Sequence, residues 1–136
     1  MEQKDYILRE IEKIGMIISA IRQKLFGGNG NLSLTVEKQL NELKGMLLSE
    51  ANFDLDEFLS LNIKESNEYI SRFKGFSVEN IELIAECISK ICLSDNSSVS
   101  KEYRGKALQL YEICNLKSKT YSLERETNIK TIKNAL

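Results

Sequence analysis

Apolar residues recur along this chain at helical spacing almost from end to end. In the first segment they fall at Ile7, Ile11, Ile14, Ile18, Ile21 and Leu25, with steps of 4, 3, 4, 3 and 4. That alternation over three heptads predicts a first helix from Lys4 to Phe26 with one continuous seam. Leu8 and Gly15 flank the seam, and a glycine inside a helix predicts a neighbour approaching closely enough to offset its lost propensity. The run Gly27-Gly28-Asn29-Gly30-Asn31 ends the helix and acts as a linker. It lacks the preceding strand and the Gly-Lys-Ser/Thr close of a phosphate loop. Val36, Leu40, Leu43 and Leu47 repeat the 4, 3, 4 rhythm and predict a second helix over Leu34 to Leu48. The short connection predicts an antiparallel hairpin over residues 4–48.

Residues 54–136 read as a helical array. A short third helix starts at Asp54 or Asp56 and runs to Leu61. A weaker fourth spans Lys64 to Lys74. Gly75 punctuates, and Ser77 caps a fifth helix from Val78 to Leu93. Ile81, Ile84, Ile88 and Ile91 make one face of that helix, and Ala85 and Cys92 widen it, so it should be covered on more than one side. Ser94–Ser98 is a loop by composition. Ser100 is the expected cap of a sixth helix ending at Cys114, with Tyr103, Ala107, Leu110, Tyr111 and Cys114 facing inward. Ser122 caps the last helix, whose stripe is read as Leu123, Ile129, Ile132 and Leu136. Glu124 and Glu126 at its start and Lys130 and Lys133 later complement the helix dipole. No segment alternates in the manner of a strand. The fold class expected is all-α, a single domain over residues 1–136 with five to seven helices.

Composition sharpens this. The 136 residues include no proline, tryptophan or histidine. Without proline nothing interrupts the helices. Without histidine the chain by itself cannot build a Ser-His or Cys-His nucleophile pair or a histidine metal site. Three cysteines, an odd number, suit a reducing cytoplasm, and Cys87, Cys92 and Cys114 read as buried thiols on apolar faces. Their spacing fits no zinc motif, so no metal and no cofactor are expected. The first segment carries too many charges for a signal peptide or a membrane span. With a pI of 5.7, nucleic-acid binding is not expected either.

Charge is uneven. Residues 101–136 carry eight basic and four acidic groups, net +4, while residues 27–100 carry six and twelve, net −6. Within the basic end, Lys117, Lys119, Ser122 and Arg125 surround an expected helix start and form the candidate anion-binding site. The acids Asp54, Asp56 and Glu57 read as caps, and Glu82 with Glu86 and Glu65 with Glu68 lack any histidine partner for a di-iron site. Five of ten aromatic residues fall between Phe53 and Phe76, which reads as core filling, with a partner-binding groove as the alternative.

Lys106 followed by Ala107-Leu108-Gln109-Leu110-Tyr111-Glu112 resembles the second helix of a tetratricopeptide repeat, although no second copy stands 34 residues away. Asp5-Tyr6-Ile7-Leu8-Arg9-Glu10-Ile11-Glu12-Lys13-Ile14-Gly15 and Lys117-Ser118-Lys119-Thr120-Tyr121-Ser122-Leu123-Glu124-Arg125 resemble a family of small, all-helical bacterial proteins with no assigned activity. That resemblance implies a fold and a bacterial cytoplasmic setting and carries no catalytic residues. The functional expectation is a non-enzymatic interaction or scaffold domain, with a small-molecule or anion-binding regulatory domain at the turn near Ser122 as the alternative. The first helix spans about 35 Å at 1.5 Å per residue, and the second about 21 Å. Either another helix of the chain covers the remainder or a second copy does. A homodimer with Ile14, Ile17, Ile18 and Ile21 at the interface is the reading favoured.

Overall fold

The computed structural model describes residues 2–27 and 35–136. Seven helices follow one another: α1 (Glu2–Phe26), α2 (Val36–Ala51), α3 (Leu55–Leu59), α4 (Ile63–Ser71), α5 (Val78–Cys92), α6 (Ser98–Lys117) and α7 (Leu123–Ala135). Among the described residues there is no strand. The all-α expectation holds.

The apolar pattern decides which helix goes to the centre. In α5, Ile81, Ile84, Ala85, Cys87, Ile88, Ile91 and Cys92 are all buried. At 100° per residue these positions span about 160°, and the half-buried Val78 and Leu83 widen the apolar arc to about 220°, more than half the circumference, so one partner helix cannot enclose it. Three do: α5 packs against α6, α1 and α2. The long seam of α1 is closed the same way. Ile14, Ile18, Ile21 and Leu25 are buried between α2 and α5, whereas Ile7, at its near end, is partly exposed.

Local chemistry sets the helix ends. Thr35, Asp54, Asn62, Ser77, Ser97 and Ser122 each accept a hydrogen bond from the backbone N–H three residues on. Asn62 and Glu65 add the reciprocal bond of a capping box. Asn52 closes α2 at φ 56°, a left-handed conformation that asparagine tolerates. Of the glycine run expected to end α1, Gly27 is described, and its N–H donates to the Gln23 carbonyl at 2.9 Å. The rest of that run, and the expected start of α2 at Leu34, lie outside the described residues.

Two sequence readings are corrected. Ser97, not Ser100, caps α6. Ser100 lies one turn inside, wholly buried, and donates through Oγ to Asp95 Oδ2. The stripe of α7 is Arg125, Ile129 and Ile132, at steps of 4 and 3. Leu123 lies 200° from Arg125 and therefore points away, 70% exposed, and Leu136 is exposed at the chain's end.

The aromatic residues between α2 and α5 fill core. Phe53 lies 5.2–5.4 Å, centroid to centroid, from the rings of Phe58, Tyr69, Phe73 and Phe76. The Tyr69 hydroxyl accepts from the Asp54 N–H at 3.0 Å, giving the ring cluster a polar end.

The close approach expected at Gly15 is shared with Gly75, where it is tighter. A Cβ on Gly75 would stand 2.6 Å from the Glu10 carbonyl oxygen and on top of Ile14, whereas one on Gly15 would meet Asn80 Oδ1 at 3.3 Å. Asn80 fastens this crossing. It is buried, and its Nδ2 donates to the carbonyls of Ile11 at 3.0 Å and Gly75 at 2.8 Å. Gly75→Ala is therefore expected to destabilise the fold by about 1–3 kcal/mol, because a helix backbone cannot yield as a side chain can. Gly45→Ala has open space around it and should stabilise by up to about 1 kcal/mol from helix propensity. Urea unfolding of the two variants beside the wild type measures both signs.

Candidate functional site

The predicted anion site centred on Ser122 forms at the corner where α6 turns into α7. The Ser118 hydroxyl closes the turn, donating to the Thr120 carbonyl and accepting from the Thr120 N–H, and Ser122 Oγ accepts from the Arg125 N–H at 3.1 Å. The Arg125 side chain then leaves the site. It is buried, its Nε and Nη2 bond the two carboxylate oxygens of Glu82 at 3.3 and 3.1 Å, and its Nη1 donates to Asn115 Oδ1 at 3.1 Å. A two-pronged bond of this kind consumes the geometry that would grip a phosphate or carboxylate ligand. The bonds to Glu82 hold the guanidinium even more firmly protonated than usual. Arg125 thus ties α7 to α5 and α6, and the anion-binding reading loses its strongest cation. Lys117 and Lys119 remain at the surface.

What the corner does present is apolar. Leu116, Tyr121 and Leu123 are 73%, 73% and 70% exposed, more than any other described large apolar residue except Met16 at 73%. The three fall within eight residues of one turn, with Lys117 and Lys119 between them. A scattered exposed leucine needs no explanation, but three exposed apolar side chains on one corner do.

The candidate interface on α1 is placed differently from the sequence reading. Ile14, Ile18 and Ile21 are at most 5% exposed within the chain, because α5 takes the flank of the seam that α2 leaves open. They present nothing to a second copy. Ile17 is half-buried against the core, and Met16 beside it is the residue that reaches solvent.

A second constellation was missed in the sequence. Lys106 is buried, and its Nζ donates to Ser66 Oγ at 2.6 Å and to the Leu61 carbonyl at 2.7 Å. It also stands 4.3 Å from the centroid of the Phe58 ring. Burial lowers its pKa to about 8, against a weaker upward pull from Glu65. A serine hydroxyl beside an amine of lowered pKa has the form of a nucleophile and its base. Catalysis also requires room for a substrate at the hydroxyl. Ser66 is wholly buried, which leaves no room for a substrate at its hydroxyl. The pair is an internal strut that holds the α3–α4 turn and α4 against α6. The legible signal was a lysine one turn from Tyr103 and Leu110, on a face that otherwise packs inward.

The three thiols are free and buried. Burial pushes Cys87 up to about 11 and Cys114 up to about 12, and raises Cys92 as well. A thiol held protonated is a poor nucleophile. Asp54 caps α3, and Asp56 pairs with Lys44 at 3.2 Å. Among the described residues no group of three or more cysteine, aspartate or glutamate side chains is placed to hold a metal ion. No described helix is long and apolar enough to cross a membrane. The chain matches no known protein family, no curated protein and no solved structure.

The buried groups fix the response to alkaline pH. Folding keeps Cys87 and Cys114 protonated above their ordinary value of 9.0. Stability is therefore intact below about pH 9 and falls as pH rises towards 11 and 12. Lys106 acts in the opposite sense. Its folded pKa of about 8 lies below the ordinary 10.5, so the fold gains as pH climbs through that window. Above pH 9 the thiols outnumber the amine, and net stability should fall. Lys106→Met should fall more steeply, with its difference from the wild type changing steadily from about pH 8 upward. Urea unfolding at stepped pH, from about 7 to about 10, reads both curves; parallel curves would show that Lys106 is not perturbed.

Proposed function

We propose that this protein is a non-enzymatic interaction module whose α6–α7 corner docks a protein segment carrying acidic residues beside apolar ones. One observation carries the reading: Leu116, Tyr121 and Leu123 stand exposed together at a turn that also bears Lys117 and Lys119. Apolar side chains held out on a rigid corner supply contact area, and the lysines around them select for negative charge. The surrounding segment supports the same choice, since residues 101–136 carry net +4 in a chain of net −1. The corner is rigid because the Arg125–Glu82 bond and the Ser122 cap fix α7, so little ordering is required on binding. Three free cysteines support the reducing cytoplasm as its setting.

A photo-crosslinking side chain in place of Tyr121, expressed in cells of the native host, tests this. The expected result is a discrete protein adduct that disappears in Lys117→Glu/Lys119→Glu and in Leu116→Ser/Leu123→Ser. Both double variants should keep their stability to within about 0.5 kcal/mol per site, since they alter exposed positions. The same group at Ser49, on an exposed face of α2, should give no such adduct. Identical adducts at both positions, or insertion of the corner into anionic vesicles with no protein adduct, would overturn the reading.

A further inference from the structure

At the opposite end of α6, about 30 Å along its axis, the surface folds inward. A cavity of about 550 Å³ opens between α2 and the start of α6, within the range of small-molecule sites. Val36, Leu40 and Val99 make its apolar wall, with Asn41, Asp95 and Tyr103 among its polar lining. Tyr103 is the unusual member. The residue as a whole is only 3% exposed, its hydroxyl reaches the cavity, and that hydroxyl makes no hydrogen bond among the described residues. The ring is enclosed while the hydroxyl opens on the cavity, so an occupant of the cavity can supply the partner that the described residues do not. Burial also keeps that hydroxyl protonated, its pKa pushed up to about 12, so it is a donor at any ordinary pH.

The lining also limits the charge of an occupant. Asp95 is ionised, because the hydroxyls of Ser100 and Ser97 donate to its Oδ2 at 2.5 and 2.6 Å and hold its carboxyl below the usual range. Glu37 adds a second carboxylate, while the ammonium of Lys44 is already engaged by Asp56. An anion would meet the charge of these two carboxylates. A cation is opposed from the other side, because the amino ends of α2 and α6, capped by Thr35 and Ser97, both border the cavity and carry partial positive charge.

We propose that this cavity binds a small, uncharged amphipathic molecule that brings a hydrogen-bond acceptor to the Tyr103 hydroxyl and a donor to Asp95. The site is independent of the docking corner, so the protein can carry a ligand at one end of α6 and a partner at the other.

Benzamide is a suitable probe: its carbonyl accepts, its amide donates and its ring is apolar. In a titration followed by the backbone amide resonances, saturable shifts are expected at Asn41, Val99 and Tyr103 and not at Leu116 or Tyr121. Benzoate and benzylammonium, of the same size, should bind roughly tenfold more weakly or worse, the cost of about 1.4 kcal/mol in mismatched charge. Tyr103→Phe should weaken benzamide roughly three- to tenfold, the worth of one hydrogen bond. Val99→Trp, at an exposed rim position, should abolish binding while leaving the thermal midpoint near that of the wild type, and it keeps the test open should the core variant unfold. No saturable shift up to the solubility limit would overturn the proposal. So would equal binding of either charged analogue, or full affinity in both variants.

Discussion

Enclosure of α5 is the constraint on which the rest of the architecture depends. A helix that is apolar over more than half its circumference cannot lie at a surface, and a single neighbour leaves part of it wet. Burying it between α6 on one side and the α1–α2 hairpin on the other satisfies that demand. It also settles where the α1 seam goes. Once α5 must be covered, the flank of α1 that α2 leaves bare is the nearest apolar surface, and the two needs cancel within one chain. A second copy is not required to shield Ile14, Ile18 or Ile21.

Apolar burial fixes which faces meet but leaves helices free to slide along one another. Four buried polar side chains remove that freedom. Asn80 bonds the backbone of α1 and of the turn before α5. Arg104 reaches the carbonyls of Cys92 and Asp95, where the end of α5 needs a cation. Lys106 holds the α3–α4 turn to α6, and Arg125 holds α7 to α5 and α6. Each donates to fixed oxygens, so a shift of one helical turn would strand the donor in a dry interior. These groups add less net stability than apolar residues of equal size would, and they specify one register among several of similar apolar area.

That division explains what the sequence made legible. Heptad steps reported the faces of α1, α2 and α5 directly, because periodicity is a property of the helix itself. The buried charges were not legible, because Lys106 and Arg125 look like surface residues until their acceptors, 40 and 43 positions away, are brought beside them. The cap of α6 failed for a related reason. Ser97 and Ser100 are chemically equal candidates, and the fold separates them: Ser97 Oγ accepts the Ser100 N–H, while Ser100 is buried with its hydroxyl on Asp95. The lysine-rich turn near Ser122 was read as a site on local composition, and long-range pairing removed its arginine.

The exposure of the α6–α7 corner follows from the same pairing. Leu123 and Arg125 are two residues apart, so at 100° per residue they face opposite sides of α7. Turning Leu123 inward would turn Arg125 out and leave Glu82, only partly exposed on α5, with a carboxylate lacking its cation. Such an orphaned charge costs more than the burial of one leucine returns. The outward leucine is thus imposed by the internal ion pair, and the pair fixes the helix that displays it. Leu116 and Tyr121 have no such obligation. No buried ion pair sets their exposure: Leu116 lies 200° around α6 from the buried Cys114, Tyr121 lies between α6 and α7, and a polar residue would serve the fold at either position. Their apolar character is therefore left for something outside the fold to use, which is why the functional reading rests on the corner as a set and not on Leu123 alone.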